Sequence, residues 1–283
     1  MPLTAGSRDF LAPIDFHAPE TVALYDELPL WSAPFGLLML ERIPIRPGLI
    51  ILDVGAGTGF LTIELAQRCG RDARVIAVDS WPGAMARLRR KVEQLGLENV
   101  VMHEQDAVNV DLPDRSVDLI VSNLGVNNFA NAAAVFATCG RVAKPGGRIF
   151  LTSNLVGHMA EFYAVFAATL RELGQEPALA ALDKHVQHRA TVESLRAQLE
   201  RVGFEVTDVI TDSFRMRFAD GSALLRHYFI RLGFLPDWRA VAEGPELRVV
   251  FDALERNLNA VAKERGELAL TVPMACVAGR KPS

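Results

Sequence analysis

Between residues 49 and 153 the chain alternates short apolar runs with longer amphipathic stretches. Runs such as Leu49–Val54 and Val117–Ser122 are almost continuously apolar, which is typical of strands buried on both faces of a sheet. Further strands are predicted at 74–78, 100–103, 148–153, 204–210 and 268–278, and helices at 61–69, 82–95, 132–142, 161–173 and 191–202. Because strand and helix alternate, the sequence predicts a three-layer α/β fold with a mostly parallel seven-stranded sheet.

Two regions depart from this alternation. In the first, large apolar side chains are interrupted by prolines, so we interpret residues 1–42 as an N-terminal helical lid. The second, residues 214–266, is helical by pattern and reads as a helical cap insertion before the last strand. Its large apolar residues either cap the carboxyl edge of the sheet or form an ordinary core: Phe229, Leu232, Phe234, Leu235 and Trp238. The central domain then comprises residues 43–213 and 267–283.

Composition and charge narrow the choice of partners. Of the 283 residues, 50% are hydrophobic. The net charge is -4, and an acidic chain is poorly suited to binding the phosphate backbone of a nucleic acid. The basic run Arg87–Lys91 reads as the solvated face of a helix, with a nucleic-acid patch as the alternative. We find neither a signal-peptide pattern nor an apolar stretch that could span a bilayer. We therefore expect no nucleic-acid partner, no membrane insertion and a cytoplasmic location.

The cysteines argue against metal or disulfide chemistry. Cys69, Cys139 and Cys276 are far apart and show no metal-ligand spacing. Each is most simply a small buried apolar residue, as in a protein of a reducing compartment. We therefore predict no metal site.

A glycine cluster at a strand-to-helix turn is the most informative feature. Gly55, Gly57 and Gly59 follow a buried strand, where glycine lets a ligand approach the backbone closely. Asp79 lies about twenty residues further on, where a carboxylate accepts both ribose hydroxyls of a nucleotide. A dinucleotide-binding fingerprint would place a third glycine where Phe60 stands, and a P-loop would need a lysine and a hydroxyl residue after the last glycine.

The motifs around these residues resemble those of the class I S-adenosylmethionine-dependent methyltransferases, which have a Rossmann-like fold. LDVGAGTGFLTIELA (52–66) resembles their glycine motif, LPDRSVDLIVSN (112–123) their fourth-strand motif, and VAKPGGRIFLTS (142–153) their fifth-strand motif. The resemblance covers roughly Ile43–Asn154, and Leu199–Ile210 more loosely.

The resemblance implies S-adenosylmethionine as the cofactor and methyl transfer as the reaction. Asp79 would hold the ribose, Ser80 and Trp81 would flank the adenine, and Asp106 with Ala107 would meet its amino group and ring. The cofactor residues implied are Asp53, Gly55, Ala56, Gly57, Gly59, Asp79, Ser80, Trp81, Asp106, Ala107, Asn123 and Leu124.

The subfamily is read from the segment SNLGVNNF (122–129). It is similar to the stretch after the fourth strand in the ubiquinone/menaquinone C-methyltransferase group. That group usually carries an arginine where Asn127 stands, so a quinone substrate is not transferred to this chain.

Methyl transfer from a sulfonium is an in-line displacement with an excellent leaving group, so positioning and exclusion of water do much of the work. A base is needed only if the nucleophile carries a proton. His17 and Tyr25 in the lid, and His158 after the fifth strand, are the candidate catalytic residues, each with ordinary packing as the alternative. Further acceptor-side candidates are Asn123, Asn127, Asn128, His227 and Tyr228.

These residues favour metal-free methyl transfer to a small or medium, largely apolar molecule. Metal-dependent catechol chemistry would need an acid after the fourth strand, and three scattered cysteines do not fit arsenite methylation. RNA C5 methylation needs a nucleophilic cysteine on the fourth or fifth strand, whereas Cys139 falls in the helix between them. The alternative functions are a non-catalytic cofactor-binding module and a nicotinamide-dependent oxidoreductase. The sequence leaves open whether the protein forms a homo-oligomer.

Overall fold

The computed structural model describes residues 9–187, 189–244 and 246–283. Its strands form a seven-stranded sheet of order β3-β2-β1-β4-β5-β7-β6. The strands are β1 (Ile50–Val54), β2 (Arg74–Asp79), β3 (Val100–Glu104), β4 (Val117–Asn123), β5 (Ala143–Asn154), β6 (Glu205–Phe218) and β7 (Leu268–Arg280). Strands β1 to β5 pair in parallel and β7 is antiparallel to β5. The predicted α/β class and the mostly parallel seven-stranded sheet are confirmed.

The helices fall close to the sequence pattern. They are α1 (Pro19–Glu27), α2 (Ala33–Leu40), α3 (Phe60–Arg68), α4 (Pro82–Leu95), α5 (Ala132–Val142), α6 (Ala160–Glu172), α7 (Glu176–Gln187), α8 (Val192–Arg201), α9 (Gly221–Arg226), α10 (Tyr228–Gly233), α11 (Leu235–Val241) and α12 (Leu247–Arg265). The predicted helix at 82–95 matches α4 at both ends, and those at 61–69 and 161–173 are displaced by one residue. Helix α7 was not predicted.

The three layers follow from the alternation of side chains along each strand. In β2, Ile76 and Val78 pack into a cluster with Phe136 of α5, while Ala77 packs on the other face with Leu88 of α4. Both faces of the sheet are therefore covered by helices, which explains why its strands read as continuous apolar runs.

The chain divides into two compact units. The sheet unit comprises His17–Leu155, Ala190–Asp212 and Met274–Ser283, and the helical unit comprises Val156–Arg189, Ser213–Pro273 and the described residues up to Phe16. Strands β6 and β7 contribute residues to both units. None of the helices in the described part of the chain combines the length and apolar character needed to cross a membrane.

The helical unit has an aromatic interior of its own. The rings of Phe162 and Trp238 stack with centroids 4.0 Å apart, and Phe234 stacks on Trp238 at 5.8 Å. The apolar residues read from the cap segment are all buried: Phe229, Leu232, Phe234, Leu235 and Trp238. Their contacts are those of a packed core, which favours the plainer of the two interpretations given above.

Two segment boundaries differ from the sequence expectation. Strand β6 continues to Phe218, so the segment read as a helical cap from residue 214 begins as a strand. At the N-terminus, Phe10 contacts Phe251 within the helical unit, with ring centroids 6.2 Å apart, whereas α1 and α2 belong to the sheet unit. The division into lid, central domain and cap stays a prediction.

Candidate functional site

The loop after β1 contains three glycines, which differ in what a side chain at each position would meet. Gly55, Gly57 and Gly59 have φ of 75°, 55° and 93°, a region that side chains rarely adopt. A Cβ on Gly59 would lie 2.2 Å from Cδ1 of Leu88, and one on Gly55 would lie 3.0 Å from Cα of Gly125. A Cβ on Gly57 would meet nothing within 4 Å. Gly57 therefore exposes backbone to open space, where a ligand is able to approach.

That open space is a cavity of about 140 Å³ within the sheet unit. Five of the predicted cofactor residues line it: Asp53, Gly55, Ala56, Gly57 and Asn123. Tyr25, one of the three candidate catalytic residues, lines it as well.

Asp53 is a buried carboxyl group at the floor of this cavity. Its side chain accepts a hydrogen bond of 2.6 Å from Oγ1 of Thr62, and the residue is 1% exposed. Burial raises the pKa of Asp53 to about 7, and the charge of Asp79 adds to the rise. The carboxyl group therefore changes its charge near neutral pH.

Asp79 ties the end of β2 to the glycine loop. Its Oδ2 accepts a hydrogen bond of 2.7 Å from the backbone N–H of Gly57, and its Oδ1 accepts one of 2.8 Å from that of Trp81. The adjacent Ser80 is exposed. The ring of Trp81 meets the edge of Tyr25, with centroids 5.4 Å apart at 69°. Of the predicted nucleotide-binding residues at this strand end, Asp79 therefore contacts the glycine loop directly.

Asp106 and Ala107 follow β3 at the same edge of the sheet. In the register of β2 with β3, Asp79 lies opposite Glu104. Asp106 caps a one-turn 3-10 helix by accepting a hydrogen bond of 3.0 Å from the N–H of Val108. Neither Asp106 nor Ala107 lines the cavity, and β2 separates their strand from β1 in the sheet.

Asn123 and Leu124 end β4 on the other side of the loop. The Nδ2 of Asn123 donates to the carbonyl of Ser32 at 3.1 Å, and its Oδ1 accepts from Oγ1 of Thr152 at 2.6 Å. Leu124 is buried with φ of 64°, an uncommon conformation for a leucine. Such strained backbone often occurs at functional sites.

The remaining candidate residues fall in different places. His17 is exposed and does not line the cavity, and Asn127 accepts from Oγ of Ser153 at 2.5 Å. Asn128 follows the one-turn helix after β4, while His227 and Tyr228 belong to the helical unit.

His158 lies in the helical unit, where its Nε2 is 3.4 Å from the hydroxyl oxygen of Tyr163. The residue is 1% exposed, and burial lowers the pKa of His158 to about 3. Trp238 Nε1 donates to the same hydroxyl oxygen at 3.2 Å. His158 is therefore a neutral imidazole enclosed by aromatic side chains.

Several residues that line the cavity were not predicted: Asp26, Pro29, Ser32, Thr58, Phe60, Leu61 and Lys91. Lys91 belongs to the basic run that was read as a solvated helix face. Within that run Arg89 and Arg90 are exposed, whereas Arg87 and Lys91 form ion pairs with Asp26. Their spacing of four residues on one helix face was the available signal.

Phe60, which stands where a dinucleotide fingerprint has glycine, packs against α2. A Cβ on Gly36 of α2 would lie 2.1 Å from Cε1 of Phe60. The large ring therefore fills space that α2 leaves at a glycine. The antiparallel β7 between β5 and β6 likewise departs from the 3-2-1-4-5-6 order of dinucleotide-binding sheets.

Among the described residues, no group of three or more His, Cys, Asp or Glu side chains is placed to hold a metal ion. The sheet order, the glycine loop and the acid after β2 define a Rossmann-like protein that binds a nucleoside-containing cofactor at the carboxyl ends of its strands. The particular cofactor is indicated by comparison with known proteins.

Residues 51–147 match the family model described as a methyltransferase domain. The chain is 31% identical to the demethylmenaquinone methyltransferase of Thermus thermophilus, over 60% of this chain and 78% of the relative. It is also 31% identical to the arsenite methyltransferase of Halobacterium salinarum, over 58% of this chain but 39% of the relative. The structure of YcgJ from Bacillus subtilis has the same fold, with a TM-score of 0.58, 15% identity, and coverage of 87% of this chain and 97% of that one.

The chain belongs to the S-adenosylmethionine-dependent methyltransferases, and S-adenosylmethionine is the cofactor of this family. The matched relatives are named for different methyl acceptors, so membership of the family does not identify the acceptor of this chain.

Proposed function

We propose that this protein transfers the methyl group of S-adenosylmethionine to a small or medium, largely apolar molecule by metal-free in-line displacement. The observation that carries the proposal is the cavity in which the open backbone of Gly57, the buried carboxyl of Asp53 and the side chains of Asn123 and Tyr25 meet. A cofactor bound there lies against the glycine loop, with a phenol beside it.

The residues proposed to bind the cofactor are those at three neighbouring strand ends. Asp79 is proposed to accept the ribose hydroxyls, and Ser80 with Trp81 to flank the adenine. Asp106 and Ala107 are proposed to meet the adenine edge, and Asn123 with Leu124 to bound the methionine end together with the glycine loop. The contact between Trp81 and the edge of Tyr25 supports this arrangement, because it joins the proposed adenine side to the cavity.

Tyr25 is the candidate that the structure brings to the cavity, so we propose that it contacts the acceptor. In-line transfer requires the acceptor atom to be held behind the methyl group with water excluded, and an aromatic ring with a hydroxyl at its tip suits both tasks. His17 and His158 stay weaker proposals: the first is exposed, and burial lowers the pKa of the second to about 3.

One observation supports an apolar acceptor, and another argues against a thiophilic one. Pro29 and Ser32 line the cavity, and close to them in the chain Leu30 is 72% exposed and Leu37 is 56% exposed, which leaves apolar surface next to the cavity residues. Against a thiophilic acceptor such as arsenite, all three cysteines are buried. Burial raises the pKa of Cys139 and of Cys276 to about 12, so neither offers a thiolate.

The test has two stages. Calorimetry with S-adenosylmethionine, S-adenosylhomocysteine and NAD measures cofactor choice, and we expect micromolar-range binding of the first two, about 8 kcal/mol. Transfer of labelled methyl to phenols, quinols, amines and arsenite then measures acceptor choice in wild type and in Tyr25→Phe. Tight NAD binding without S-adenosylmethionine binding contradicts the cofactor assignment. Cofactor binding without transfer to any acceptor favours the non-catalytic alternative.

A further inference from the structure

Helix α1 buries one apolar side chain, and the ring of its Tyr25 contacts the ring of Trp81. Of its nine residues Pro19–Glu27, Val22 is the one that is buried. Val22 packs on the first turn of α4, where a Cβ on Gly83 would lie 2.9 Å from its Cγ2. A short helix with a single buried side chain opens easily unless polar contacts hold it.

Those polar contacts converge on Asp26 near the end of α1. Its carboxylate oxygens lie 2.7 Å from Nε of Arg87 and 2.5 Å from Nζ of Lys91, both on α4. The Asp26 side chain is only 9% exposed, whereas the two cations are about one quarter exposed, at 26% and 24%. The adjacent Glu27 is 64% exposed and lies 3.6 Å from Arg87, so it contributes a weaker contact.

Asp26 also lies beside the glycine loop. It lines the cavity together with Thr58 of that loop and Lys91 of α4. Burial alone would raise the pKa of Asp26, but hydrogen bonds from Lys91 and Arg87 outweigh it and lower the pKa. The carboxylate is therefore charged at neutral pH and joins α1 to α4 beside the glycine loop.

We propose that Asp26 is a positioning residue that locks α1 over the cofactor cavity through its ion pairs with Arg87 and Lys91, so that exchange of the cofactor requires these pairs to break. Tyr25 precedes Asp26 in the chain and lines the same cavity, so the lock also fixes the phenol beside the reaction. The inference rests on the proposed function, because it takes this cavity as the cofactor site.

The lock makes a kinetic prediction that ordinary packing does not make. Ion pairs with partly exposed cations are screened by salt, whereas apolar contacts are not weakened by it. Release of the cofactor should therefore accelerate with ionic strength in the wild type. Asp26→Asn removes the charge, so it should release the cofactor about tenfold faster, equivalent to about 1.4 kcal/mol, and lose the salt dependence. Asp26→Glu, which keeps the charge, should restore part of the slow release.

Two measurements test the lock. Hydrogen exchange without cofactor reports opening of α1, and stopped-flow dilution reports release of S-adenosylhomocysteine. We expect Asp26→Asn to raise both, with Glu20→Gln, at an exposed acid in the first turn of the same helix, as the matched control that changes neither. An Asp26→Asn protein with unchanged release, whether or not α1 exchanges faster, overturns the lock. A wild type that binds no cofactor overturns the proposed function and the lock together, so the two failures are distinguished.

Discussion

The sheet unit and the helical unit bury polar side chains in opposite ways. In the sheet unit, Asp53 and Asn123 are partnered by neighbouring side chains and still line open space. In the helical unit, His158 and Tyr163 pair with each other and are enclosed by rings such as that of Trp238. Buried polar groups beside a cavity indicate a ligand site, whereas enclosed ones indicate a structural core.

The largest effect is expected when a ring is removed from the aromatic core of the helical unit. Trp238 is fully buried, stacks on Phe162 and donates to the hydroxyl of Tyr163. Trp238→Ala should lower the free energy of unfolding by about 3–5 kcal/mol, because it leaves a cavity and removes the hydrogen bond from the indole to the phenol. Urea denaturation measures the change. Cofactor affinity of the folded variant should stay at the wild-type value, and a parallel loss of affinity contradicts the separation of the two roles.

The glycine loop is the next place to test the contrast. Gly57→Val should weaken S-adenosylmethionine binding at least about a hundredfold, near 2.8 kcal/mol, because the side chain enters the cavity and strains the backbone. Gly48→Val is a matched control: Gly48 also has a positive φ, 75°, and also meets nothing within 4 Å. Calorimetry should show a loss of affinity for Gly57→Val alone. An equal loss in both variants assigns the effect to backbone strain.

A smaller effect is expected at the acid after β2. Asp79→Asn keeps the shape of the side chain but removes the charge that accepts hydrogen bonds from Gly57 and Trp81. Cofactor affinity should fall by about 2 kcal/mol, roughly thirtyfold, because charge-assisted hydrogen bonds are lost. Asp111→Asn, at an exposed acid in the connection between β3 and β4, serves as the control. Unchanged affinity in a folded Asp79→Asn protein means that the ribose is bound elsewhere.

The smallest effect is a pH dependence of opposite sign in the two units. The pKa of Asp53 is raised to about 7, so its contribution to stability is present below about pH 4 and is lost as the pH rises through 7. The pKa of His158 is lowered to about 3, so its contribution is present above about pH 6.5 and is lost as the pH falls through 3.

Unfolding free energies between pH 4 and pH 6.5 test this difference. Each group contributes a slope of at most about 1.4 kcal/mol per pH unit. Relative to wild type, Asp53→Asn should make stability rise more steeply with pH, and His158→Gln should make it rise less steeply. Slopes that move in the same direction in both variants contradict the assignment.

What the sequence could predict depends on how far apart the interacting residues are. Strands β1 to β4, α4 and the glycine loop follow from local periodicity and turn chemistry, so they were placed within a residue or two, whereas β5 begins earlier and β6 ends later than predicted. Asp26 was missed because its partners Arg87 and Lys91 lie 61 and 65 positions away. His158 was expected after the fifth strand, but its enclosure by Tyr163 and its neighbours depends on contacts that no local pattern records.

The contact of Phe60 with Gly36 restricts which substitutions the protein tolerates at these two positions. A Cβ at position 36 would lie 2.1 Å from the Phe60 ring, so the two positions share one fixed volume. A larger residue at 36 is tolerated only after a smaller one appears at 60, and a glycine at 60 would leave a void beside α2. We therefore expect the two positions to change together, so that a glycine at 60, as in a dinucleotide-type fingerprint, is accompanied by a larger residue at 36, outside the loop.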